Sequence, residues 1–119
     1  YAFALENQDI LKVVAINGGN GCIAPTNETI NEGSYRPLSR PLLIYVAREA
    51  ADLPAVKDFV RFHMSPQREQ LIEEVGFVPF PARVYKLGLA RFEKGLTGTL
   101  FGGSDPRQGT VEEILAANQ

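Results

Sequence analysis

The chain has 119 residues, of which 45% are hydrophobic and 22% charged, and its formal net charge is -2. That is enough sequence for one small domain of ordinary globular composition, although so short a chain buries a smaller share of its surface than a larger one. The 12 Lys and Arg residues form no long run, which excludes a nucleic-acid surface built on clustered positive charge, and no apolar stretch approaches the roughly 18 residues of a spanning helix.

The chain opens on Tyr1 without a charged segment leading into an apolar one. It therefore reads either as a chain whose leader has been removed or as a piece of something longer. Residues 2–11 read as a short helix with Phe3, Leu5, Ile10 and Leu11 as its apolar residues. Residues 12–16 carry Val13, Val14 and Ile16, a β-branched run that predicts a short strand. Asn17-Gly18-Gly19-Asn20-Gly21 then interrupts regular structure. A glycine-rich loop invites a phosphate-cradle reading. This one lacks the Gly-Lys-Ser/Thr ending of a nucleotide loop and opens no clear helix, so a flexible turn is the expectation. Cys22 is the one cysteine. It excludes an internal disulfide and is expected to be a small buried hydrophobe.

Pro25-Thr26 precedes a polar segment, residues 27–31, with the capacity for one or two helical turns, and Gly33-Ser34 ends it. Two prolines, Pro37 and Pro41, hold residues 35–41 extended. Leu42-Leu43-Ile44-Tyr45-Val46 follows as a strong strand. A proline at its entry suits a sheet edge or a crossing point better than a sheet centre. Asp52 is a candidate N-cap with Pro54 in the first turn of the next helix. Val56, Phe59, Val60 and His63 fall on one face of that helix. His63 is the one histidine, which argues against a zinc site built on Cys and His ligands. Its apolar neighbours mark a packed or edge-lining ring.

Ser65-Pro66 predicts a second cap with proline at N1, then a helix with the stripe Leu71, Ile72 and Val75, closed by Gly76. Glu69, Glu73 and Glu74 lie around that helix. Carboxylates this close can form an acid/base pair, but a solvated helix face is the expectation. Phe77-Val78-Pro79-Phe80-Pro81 is an extended connector. Residues 82–94 form a helix buried through Val84, Leu87, Leu89 and Phe92 and stopped by Gly95. Residues 96–101 read as a short strand or bend, and residues 102–109 as a loop. Thr110-Val111-Glu112-Glu113 matches a capping box at the start of a last helix, whose apolar side is Ile114 and Leu115.

This order is α/β, with few strands and several covering helices. Two or three strands cannot satisfy their own edges and cover the apolar faces of four or five helices. That is a physical reason to expect further sequence or a partner.

Three stretches carry a family resemblance. Gly33-Ser34-Tyr35-Arg36-Pro37-Leu38-Ser39-Arg40-Pro41-Leu42-Leu43-Ile44-Tyr45-Val46 resembles a segment of the phosphate-binding proteins that serve phosphate ABC transporters. Glu74-Val75-Gly76-Phe77-Val78-Pro79-Phe80-Pro81 is similar to a connector of the same family. Arg91 to Gly103, with Thr110 to Leu115, is similar to the tail of its cyanobacterial-type members, and Tyr1-Ala2-Phe3 resembles the end of an aromatic motif. The resemblance implies part of a type II periplasmic-binding-protein fold, an incomplete lobe. Residues 1–34 would end the second lobe and make the return connection. Residues 35–119 would supply a crossing strand and the helices completing the first lobe.

The implied function is capture of inorganic phosphate in the intact periplasmic protein, free or lipid-anchored, and its delivery to ABC permease membrane subunits. No catalysis and no cofactor are implied. Phosphate in that family is held by Ser and Thr hydroxyls, backbone amides, an Arg and an Asp from motifs upstream of the stretch represented here. No phosphate ligand is therefore assigned in this chain, and the upstream half is an implied partner. Ser39 and Arg40 are tempting because Arg clamps phosphate well, but they match the crossing strand and read as structural. Two other readings compete. One is an interaction module built on the same lobe without phosphate binding. The other is a hydrolase using a glutamate pair or His63, for which no nucleophile, base and orienting group can be assembled.

Overall fold

The computed structural model describes residues 1–19, 21–101 and 109–119. Asn20 and residues 102–108 lie outside it, so the loop expected over 102–109 falls almost wholly outside the described residues. The order is α1 (Ala2–Glu6), β1 (Ile16–Asn17), β2 (Cys22–Ile23), α2 (Asn27–Asn31), a 3-10 turn at Arg48–Ala50, α3 (Pro54–His63), a second at Pro66–Arg68, α4 (Glu69–Glu74), α5 (Ala82–Glu93) and α6 (Val111–Ala117).

The helices follow from local signals in the sequence. Thr110 accepts from the Glu113 amide at 3.2 Å while the Glu113 carboxylate accepts from the Thr110 amide at 2.9 Å, a complete capping box for α6. Thr26 and Thr29 make the equivalent exchange for α2, at 2.8 and 3.1 Å, with a threonine hydroxyl standing where Glu or Gln is usual. Pro54 and Pro66 sit where the first-turn amides have no helical partner anyway. Gly76 takes φ of +83°, and the amides of Gly76 and Phe77 donate back to Glu73 and Ile72 at 2.9 and 3.1 Å. This paired closure satisfies two carbonyls at the end of α4 and needs a left-handed residue. Gly95 and Leu96 close α5 in the same way, onto Phe92 and Arg91.

Several expectations are corrected. The first helix ends at Glu6, not at residue 11, because Asn7 caps it and donates its side-chain amide to the Phe3 carbonyl at 2.7 Å. Asn competes for backbone partners in this way, which favours helix ends. The strand expected over 12–16 is reduced to Ile16–Asn17, paired antiparallel with Cys22–Ile23. Residues 41–47 carry no ladder at all. Their β propensity is strong, but propensity cannot supply a neighbouring strand. Residues 96–101 are bend and turn. Asp52 does not cap α3. Leu53 occupies that position without a side-chain bond, and Asp52 instead pairs with Lys57 at 2.8 Å. Ser65 likewise makes no cap, since its hydroxyl donates to Gln67 at 2.6 Å. Cys22 is exposed, because nothing among the described residues is layered over its side of the hairpin.

The core gathers on α5. Val84 (7% exposed) and Tyr85 (6%) are buried there, together with Val60 of α3 and Leu115 of α6, each 3% exposed. Gly88 gives α5 a close approach to α3, because a Cβ at that position would lie 3.3 Å from the Met64 sulfur. The chain exposes 8356 Å², whereas a compact chain of 13.1 kDa is expected to expose about 6,400 Å². Its radius of gyration is 15.9 Å, against about 13.5 Å for a compact domain of this length. Both values are those of an open chain, and large apolar side chains such as Phe3, Ile10, Leu42 and Tyr45 are among those left exposed.

Candidate functional site

Residues 33–40 form a knot of main-chain hydrogen bonds around α2. Gly33, at φ +73°, leaves the helix. The Tyr35 amide and the Ser34 hydroxyl both donate to the Thr29 carbonyl, at 2.9 and 3.3 Å. Arg36 turns its guanidinium back, with Nε donating to the Gly33 carbonyl. The Arg36–Pro37 peptide is cis. The Ser39 hydroxyl is occupied as a donor to the Tyr35 carbonyl at 2.7 Å, whereas Arg40 is exposed. The β1–β2 hairpin leans on this knot: a Cβ at Gly18 would come within 2.8 Å of the Arg36 carbonyl oxygen, and Tyr35 reaches the Val14 carbonyl at 3.4 Å. Of the residues singled out in the sequence, the knot contains Ser39. It does not bring Arg40 and the glycine loop into a common cradle.

A groove of about 330 Å³ opens between α2, the connector before α5, and the start of α6. Asn31 secures one wall by donating to the Pro79 carbonyl at 3.0 Å, and the Tyr85 hydroxyl accepts from the Phe80 amide at 3.1 Å. Burial raises the Tyr85 pKa, so its hydroxyl is neutral. Glu28, Glu32 and Glu112 line the groove. Their charge has the wrong sign for an oxyanion, and the first turn of α6 is already occupied by the Glu113 carboxylate. Arg83 is 3.3 Å from Glu112, on the outer side.

A second groove, about 380 Å³, is apolar. It runs along Ile44, Tyr45 and Val46 against Ala55, Val56 and Phe59 of α3. Leu42 and Tyr45 are 73% and 78% exposed. His63 stands near the end of the same helix, exposed, its ring 4.1 Å from that of Phe59 and its Nδ1 2.9 Å from the Phe59 carbonyl. A carbonyl only accepts, so Nδ1 carries the proton. Glu69, Glu73 and Glu74 lie on α4, whose Leu71 remains exposed, as does Val75 just after it. Among the described residues no three His, Cys, Asp or Glu converge as metal ligands, and no helix is long and apolar enough to cross a membrane.

Among the described residues three carboxylates have lowered pKa values. Glu113 is held down by the Thr110 amide, then by the Thr110 hydroxyl and the charge of Arg36. Glu28 is lowered by its own amide and the Thr26 hydroxyl, and Asp52 by the hydrogen bond and charge of Lys57. A carboxylate depressed in the folded state adds stability above its unfolded pKa, and loses it as pH falls through the folded one. The ordinary values are 4.5 for the two glutamates and 3.8 for Asp52. The urea midpoint, followed by far-ultraviolet circular dichroism, should therefore hold level from neutral pH to about pH 5 and decline below it. A midpoint that stays level below the Asp52 value would show that these carboxylate contacts add no stability to the fold.

No family model and no solved structure matches the chain. Curated relatives do. The chain is 41% identical over 106 residues to Protein SphX of Synechocystis sp., covering 88% of this chain and 31% of the relative. It is 37% identical over 118 residues to Protein SphX of Synechococcus elongatus, covering 98% of this chain and 35% of the relative. It is 40% identical over 88 residues to the Phosphate-binding protein PstS of Staphylococcus aureus, covering 72% of this chain and 26% of that protein. The chain thus spans about a third of the length of the relatives it matches best in coverage. Along nearly its whole length, it belongs with the PstS-like proteins.

Proposed function

We propose that this chain is part of the phosphate-capturing component of a phosphate ABC import system, working outside the cytoplasmic membrane and performing no chemistry. The observation that carries this reading is the excess of exposed surface, large apolar side chains among it, in a chain that spans about a third of the length of its relatives. The segment 41–47 has the sequence of a strand and no ladder partner among the described residues. Its open edge and exposed side chains suit completion by the remainder of a larger fold. In this reading residues 35–119 supply the crossing strand and the helices that finish one lobe of a type II binding protein. Residues 1–34 end the other lobe. Phosphate would be held by charge-assisted hydrogen bonds from residues upstream, which is compatible with the acidic lining of the groove between α2 and α6. ABC permease subunits would receive the loaded protein.

Calorimetric titration of phosphate tests the proposal, first into the 119-residue chain and then into the full-length protein. The expected result is no binding heat with the chain alone and tight binding with the full-length protein. Tight binding by the chain alone would move the ligand site onto the loop at Gly18–Gly21 or onto Arg40. No binding by either would leave an interaction module built on the same lobe.

A further inference from the structure

The hairpin turn presents chemistry that phosphate capture does not use. Asn17 and Gly18 are both exposed. Asn17 ends β1, where it pairs with Cys22. The Gly19 amide donates to Asn17 Oδ1 at 2.9 Å, and Gly19 holds φ at +111° to do so. Such a turn curls the asparagine side chain back along its own backbone. Gly18 is required by the packing, since any Cβ there would collide with the Arg36 carbonyl oxygen. The same demand places after Asn17 the residue that least obstructs its own nitrogen.

We infer that Asn17 is a site of spontaneous deamidation in the folded protein. The Gly18 nitrogen attacks Asn17 Cγ, forming an N–C bond. The Cγ–Nδ2 bond breaks, and ammonia departs with the proton given up by the Gly18 amide. The resulting cyclic imide is opened by water at either carbonyl, giving aspartate or isoaspartate. No electrons change hands, and water is the only co-reactant. As Cγ becomes tetrahedral, negative charge develops on Oδ1, where the Gly19 N–H already points. A donor aimed at developing charge lowers the barrier. Isoaspartate adds a carbon to the main chain beside the Asn17↔Cys22 pair, and so shifts the register of a ladder with only two pairs.

The test is peptide mapping of the full-length protein held at mildly alkaline pH, with an isoaspartate-specific methyltransferase as a second readout. Asn17 is expected to convert ahead of Asn7, Asn27, Asn31 and Asn118, to a mixture of aspartate and isoaspartate. It should convert in the folded protein at least as fast as in urea. The isoaspartate signal at position 17 should be lost in Asn17→Gln, whose longer side chain disfavours the five-membered ring. Fragmentation of the same peptide separates Asn17 from Asn20. An Asn17 that stays amidated while other asparagines convert, or that converts only once the chain is unfolded, would overturn the inference. If Asn17→Gln fails to fold, the folded-against-urea comparison on the unsubstituted protein still decides it.

Discussion

Leu115→Ala is expected to lower the unfolding free energy of this chain by about 2–5 kcal/mol, the range for emptying a buried leucine site. Leu115 is 3% exposed, one of the few buried apolar side chains among the described residues, with Pro25, Val60, Val84 and Tyr85. A domain of this size has a total stability of roughly 6–18 kcal/mol, and the excess of exposed surface argues for the lower end. One side chain therefore carries a large share. The reason lies in the length of α6, which has seven residues and could not persist as an isolated helix. Its capping box sets where it starts, but packing on α5 keeps it folded. The polar links between α6 and α5 are weaker. The Arg83–Glu112 pair has side chains 70% and 35% exposed, and such pairs contribute about 0–1 kcal/mol. Glu112→Gln is accordingly the control. Urea unfolding followed by circular dichroism should show a large fall in midpoint for Leu115→Ala and little change for Glu112→Gln. Equal midpoints for the two would mean that α6 is held by its ends and not by its buried face.

Much of this fold was legible in the sequence because helix boundaries are local. Thr110 with Glu113, Pro54, Gly76 and Gly95 each act within a few residues of themselves, and each behaves as its chemistry dictates. Where a local reading failed, a nearby competitor intervened. Lys57 took Asp52 away from the helix start, Gln67 took Ser65, and Asn7 ended the first helix early. The burial of Tyr85 was missed because its hydroxyl reads as polar until the Phe80 amide is placed against it. The strands were the least legible part. Residues 42–46 have every local mark of a strand, but a ladder requires a second segment that no local pattern identifies. Cys22 failed for the same reason: burial is a property of what lies opposite. The candidate site was legible only in outline. The acidic groove depends on bringing Glu28 and Glu32 up to Glu112, some eighty positions away in the sequence, and no spacing rule announces that.

The apolar groove leads to the prediction with the sharpest contrast. Leu42→Lys and Tyr45→Lys replace side chains 73% and 78% exposed. In the 119-residue chain each should change stability by no more than about 0.5 kcal/mol, as exposed substitutions do. In the full-length protein proposed above, the same side chains would point to opposite faces of a strand and both would be covered. Each would forfeit about 1.5–3 kcal/mol of burial and place an ammonium group where no partner awaits it. The double variant should therefore leave the isolated chain's urea midpoint nearly unchanged and sharply lower that of the full-length protein. It should weaken phosphate binding there only to the extent that folding is lost, because neither residue is assigned to the ligand. Equal tolerance in both contexts would mean that both faces of the segment stay uncovered in the larger protein, and the strand-completion reading would fail. A loss in both contexts would mean that residues 41–47 already stabilise the chain through α3, with Val56 and Phe59 as the contacts to examine.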